Sequence, residues 1–126
     1  MPMHELITFL RGYHDEVMAC EARGLAALNK GDKETFLKEF RLKAEKMVAI
    51  LTKATPYMEG LPAAEKDTVY HALRRFSNSA NNGLHLGSPF YWTALLWNDD
   101  SKKGDPDNLQ VFIDELEKRA GAQAKG

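Results

Sequence analysis

Apolar residues recur along this chain at intervals of three and four. Leu6, Leu10, Tyr13, Val17, Cys20, Gly24 and Leu28 make one such row across 5–28, the period of a helix with one buried face. Asn29-Lys30-Gly31 supplies a basic last turn and a glycine stop, Asp32 stands where an N-cap belongs, and Glu34 falls in the acid-favouring first turn of the next helix. That second helix carries Phe36, Phe40, Ala44, Met47, Leu51 and Ala54 on its stripe. Pro56 ends or kinks it, because proline lacks the amide proton and clashes with the preceding turn.

Gly60-Leu61-Pro62 opens a third helix with Val69, Leu73, Phe76 and Ala80 on one face, continuing toward Leu84. Ser88-Pro89 reads as an N-cap followed by a first-turn proline, starting a short aromatic helix over 90–97. A polar loop follows at 98–104. Asp105-Pro106-Asp107 then starts a last helix, with Leu109, Phe112, Ile113 and Leu116 inward, that fades after Arg119. Two helices of about 25 residues joined by two or three turn residues must lie antiparallel. No strand-like alternation and no internal repeat interrupts this pattern. The predicted fold is therefore all-α: an up-and-down helical bundle of four main helices plus one short aromatic helix, in a single domain over 1–126.

Composition narrows the function by exclusion. Lys plus Arg number 17 against 18 Asp plus Glu in 126 residues, for a net charge of -1, and neither half of the chain is basic enough to grip nucleic acid. The second helix is locally basic, but Glu39 and Glu45 interrupt any continuous phosphate-binding face. The start, Met1-Pro2-Met3-His4-Glu5, lacks the basic region of a secretory signal, and no apolar run approaches the roughly 20 residues of a spanning helix. A cytoplasmic protein without membrane or nucleic-acid partners is expected. The single cysteine, Cys20, fits a reducing compartment, and its place on the core stripe makes it a buried structural thiol rather than a nucleophile.

Catalytic and metal-binding patterns are equally sparse. None of His4, His14, His71 and His85 has a glutamate three residues before it, as a di-iron bundle requires. The loop beginning Asp99-Asp100-Ser101 superficially has calcium-loop spacing, but Lys103 stands where an oxygen ligand belongs and Gln110 where the bidentate glutamate should be. Phosphate-cradling glycine loops and nucleophile elbows are absent. No catalytic residue, metal or cofactor is expected.

One segment departs from the rest. Residues 76–98 contain no Asp, Glu, Lys or Arg, although charged residues make up 28% of the chain, so about six were due by proportion. Its first half is rich in Asn and Ser, which are poorer helix formers than the Lys and Glu of ordinary surface helices. On a helix running to His85, the residues His71, Arg74, Asn78, Asn82 (or Asn81) and His85 share one face, opposite Val69, Leu73 and Phe76. Beside them stand Phe90, Tyr91, Trp92, Leu95, Leu96 and Trp97, more aromatic surface than a short helix hides on one side. The segment reads three ways: a central core element, an interface with a second copy or another protein, or a small-ligand pocket. The candidate ligand- or partner-binding residues are His71, Arg74, Asn78, Asn82, His85, Tyr91, Trp92 and Trp97.

The long first helix, the Gly31-Asp32 turn and the second helix ending Lys46-Met47-Val48-Ala49-Ile50-Leu51 resemble small bacterial flagellar-export chaperones. That resemblance covers the first half of the chain and implies a helical adaptor that holds an amphipathic segment of a partner. The aromatic segment and the Asp-Pro-Asp start have no counterpart in it, so the chain is not assigned to that family. The expectation is a non-enzymatic bundle acting through protein–protein contact, as a homodimer. Its rival is a ligand-binding or enzymatic bundle that uses the polar stripe of the third helix around a small polar or anionic molecule.

Overall fold

The computed structural model describes residues 2–97, 102 and 104–125. Among them are five α-helices and no strand: α1 (Pro2–Asn29), α2 (Lys33–Ala54), α3 (Ala63–Leu86), α4 (Pro89–Ala94) and α5 (Asn108–Lys125), with a 3-10 turn at Thr55–Tyr57. The fold is the expected all-α helical bundle. Most of the polar loop at 98–104, with its calcium-like spacing, lies outside the described residues, as does the side chain of Phe90.

Local chemistry sets the helix ends. Asp32 N–H donates to Ala27 O at 2.9 Å and Gly31 N–H to Leu28 O at 3.0 Å. Gly31 takes the left-handed φ of +81° that this closure requires. The Asp32 carboxylate then accepts from Thr35 N–H at 3.1 Å, capping α2. Pro56 stops α2 at Ala54, and the chain tightens into the 3-10 turn. Gly87, at φ +65°, closes α3 on the carbonyls of Gly83 and Leu84.

Two expected boundaries move. The aromatic helix ends at Ala94 rather than Trp97, because Leu95 (φ −58°, ψ 130°) and Leu96 (φ +77°) form a type II turn closed by Trp97 N–H to Ala94 O at 2.9 Å. The last helix continues past Arg119 to Lys125. Two core rows also shift: on α1 Leu28 is exposed and Ala27 buried in its place, and on α2 Ile50 is fully buried where Leu51 is only partly so. Successive steps of four drift around a 3.6-residue helix, so the buried row runs Val17, Cys20, Gly24, Ala27.

α1 and α2 form the central antiparallel pair. At Gly24 they come so close that an added Cβ would stand 2.6 Å from the Phe40 ring. α3 packs on α2, pinned by Ser77 Oγ donating to Val48 O at 2.6 Å. α5 packs antiparallel on α1, with Asp107 beside His14 and both Asp114 and Glu117 on Arg11. The main core joins these helices through Leu6, Leu10, Met47, Ile50, Leu73 and Ile113. A smaller core of Phe40, Ala44 and Trp92 forms where α4 covers α2. The backbones of α3 and α5 stay apart over most of their length. Side chains bridge part of the gap, with the Phe76 and Phe112 rings 6.2 Å apart between centroids.

Candidate functional site

Segment 89–97 divides its side chains between two environments. On the inner side Trp92 is buried against Phe40 and Ala44, and its indole N–H donates to Gly83 O at 3.0 Å. The Arg41 guanidinium lies 6.0 Å from the centre of that indole. Beneath it lies Lys43, 0% exposed on α2. An ammonium group has three donors, and here they meet Glu21 Oε1 at 2.9 Å, Leu95 O at 2.8 Å and Trp92 O at 3.3 Å. Glu21 Oε1 also accepts the Trp97 indole N–H at 3.0 Å. Burial pulls the Lys43 pKa down, while the Glu21 carboxylate works to hold it up. Both of the carbonyls that Lys43 binds lie in the aromatic segment, so this contact anchors the segment to α1 and α2.

The outer side of the same segment faces the space between α3 and α5. There the structure holds an open cleft of about 740 Å³. Ala72, Phe76 and Leu86 line it from α3, Val111 and Phe112 from α5, and Tyr91 and Leu95 close one end. Leu86, Tyr91 and Val111 are 63%, 52% and 46% exposed, so three large apolar side chains open to solvent share one concave surface. Ser79, Asn82 and Asn108 add neutral polar groups. The charged lining residues are Arg75 on α3 and Glu115 on α5, and neither makes an ion pair among the described residues.

Of the residues singled out from the sequence, Asn82, Tyr91 and Trp97 come together in this cleft. His71, Arg74, Asn78 and His85 are exposed on α3 but outside it, and His71 Nε2 lies 3.2 Å from Asp67 Oδ1 one turn earlier. Trp92 is on the far side of its helix, covered by its own chain. The lining row of α3 runs Ala72, Phe76, Ser79, Gly83 and Leu86, about one residue around the helix from the expected polar stripe. Sequence reasoning missed Arg75, Leu86, Val111 and Glu115. The available signal was Leu86 and Val111, two apolar residues just off the core rows of otherwise amphipathic helices.

A third constellation fastens α5. Asp107, 3% exposed, caps the helix by accepting from Leu109 and Gln110 N–H, both at 3.0 Å. Its other oxygen lies 2.6 Å from His14 Nε2. Burial pushes the Asp107 carboxyl up, but His14 and the two backbone amides outweigh it and hold it below the ordinary range. The hydrogen bond to Asp107 raises His14 against the opposing effect of burial. Next along α1, Tyr13 donates its hydroxyl proton to Lys46 O, and burial, helped by Glu16, pushes its pKa up to about 12. These groups hold helices together, and none of them lines the cleft.

Among the described residues no three His, Cys, Asp or Glu side chains are grouped to hold a metal ion. Cys20 is buried, which raises its thiol pKa, and Arg23 donates to its sulfur at 3.4 Å. Among the described residues no helix is long and apolar enough to cross a membrane. No protein-family model, curated protein or solved structure matches the chain.

Proposed function

We propose that this chain is a non-enzymatic helical-bundle protein that acts through protein–protein contact, adaptor- or chaperone-like in role, and associates with a second copy of itself through the α3/α5 cleft. The observation that carries the reading is the gathering of Leu86, Tyr91 and Val111, all exposed, on one concave surface. Scattered surface apolar residues are ordinary, whereas a contiguous patch with few charges marks an interaction site. The buried, unpaired Cys20 fits work in a reducing cytoplasm. Sedimentation equilibrium tests the reading. The wild type is expected to dimerise, and Leu86→Glu or Val111→Glu to shift it to monomer with helix content unchanged. A wild type that stays monomeric at high concentration overturns it.

The placement of Arg75, Ser79 and Asn82 on one wall of the cleft favours a second reading, a site for a small anionic or polar molecule. A thermal-shift screen separates the two, since a ligand that binds the native state raises the melting temperature of a monomer.

A further inference from the structure

We infer that Arg75 and Glu115 are the register-setting pair of that self-association: in a two-fold dimer, Arg75 of each subunit meets Glu115 of the other. The inference rests on the reading of the cleft as a dimer surface, and it names which residues decide how the two copies align. In a two-fold interface, if residue i meets residue j of the other subunit, then j meets i. A surface with a positive group on one wall and a negative group on the other is thus complementary to itself. Two groups of the same sign would oppose each other across the axis. Arg75 stands on α3 and Glu115 on α5, the two walls of the cleft.

The state of the two side chains supports the assignment. Some charged groups on the neighbouring helices pair within the chain, Arg11 with Asp114 and Glu117, Arg23 with Glu39, and Lys43 with Glu21. Others, on the outer faces, make no ion pair among the described residues, but Arg75 and Glu115 are the two charged residues among those that line the cleft. Arg75 and Glu115 share the cleft yet make no such pair among the described residues. Around them the lining is apolar or neutral, so closing the surface desolvates few other charges. Leu86, Tyr91 and Val111 would supply the apolar burial, while the crossed pairs select one alignment.

Charge reversal tests this directly. Arg75→Glu alone and Glu115→Arg alone are each expected to weaken dimerisation at least about tenfold, because each places like charges opposite one another twice. Mixed in equal amounts, the two single variants should form a heterodimer in preference to either homodimer, since every crossed contact is then opposite in sign. The double variant Arg75→Glu/Glu115→Arg should recover association close to wild type. Helix content by circular dichroism shows that each variant folds. If both single variants dimerise like the wild type while Leu86→Glu does not, the pairing is wrong and the dimer surface stands. If both are monomeric and fail to associate when mixed, the pairing is again wrong. A monomeric wild type removes the pairing together with the surface.

Discussion

The two sides of segment 89–97 solve opposite problems with the same few residues. The inner side is closed: Trp92 is buried, its N–H is satisfied by Gly83 O, and the carbonyls of Trp92 and Leu95 are taken up by a fully buried ammonium group. The outer side is open, with Tyr91, Leu86 and Val111 facing solvent around a cleft. Polar groups concentrate where the chain closes on itself, because buried donors and acceptors need partners. Apolar side chains stay exposed where α3 and α5 stand apart. The buried side is what holds the open side in place.

Breaking the closed side should have the largest effect. Trp92→Ala removes a large side chain from a packed site and is expected to lower unfolding stability by about 3–5 kcal/mol, read by urea denaturation. Lys43→Ala follows at about 3 kcal/mol, since it leaves Glu21 and two carbonyls without their shared donor, and the indole of Trp97 should become more mobile by fluorescence anisotropy.

Loosening α5 is the next step down. His14→Ala takes one partner from the buried Asp107 carboxylate and should cost about 2 kcal/mol. The same pair predicts a pH dependence. The folded pKa of His14 lies above its ordinary 6.5, so its contribution is complete below pH 6.5 and is lost as the pH rises through the higher folded value. Asp107 lies below its ordinary 3.8, so its contribution is complete above pH 3.8 and is lost as the pH falls through the lower folded value. Stability measured across pH 5–9 should decline on the alkaline side in the wild type and less steeply in His14→Gln; equal slopes would remove His14 from the account.

Two smaller effects sharpen the contrast. Glycine in an ordinary helix or strand interior is less stable than alanine, but Leu96 adopts φ +77°, a region alanine tolerates poorly. Leu96→Gly should therefore be more stable than Leu96→Ala by about 1 kcal/mol, although both lose the buried leucine. On the open side, Val111→Ser should change monomer stability by no more than about 0.5 kcal/mol. A large loss there would mean that the cleft wall belongs to the core.

The helices were legible because their punctuation is local: Gly31, Asp32 and Pro56 each act within a few residues of the end they define. Lys43 was not. Between Phe40 and Met47 a lysine reads as a solvent group, and its burial depends on Glu21 and on carbonyls 49 and 52 positions away. The turn at Leu95–Leu96 carries no glycine to announce it. As for the cleft, its lining on α3 differs from the expected polar stripe by about one residue of rotation, a distinction that neutral side chains on both rows conceal. Its opening depends on how far α5 stands from α3, which neither helix's periodicity records.

The attachment of α5 to α1 also shapes the order in which the chain assembles. Arg11 and Asp114 are separated by 103 positions, whereas the α1–α2 turn spans only residues 30–32. The hairpin can zip from its turn with little loop-closure entropy to overcome, but α5 must find α1 across nearly the whole polymer. α5 is held by its buried Leu109, Ile113 and Leu116 and by its ties to α1, while its backbone stays apart from that of α3 over most of its length. It is the element most suited to dock last and to detach first as a cooperative unit, so its amide hydrogens should exchange ahead of those in the central hairpin. One wall of the cleft would then open by release of α5 from the hairpin.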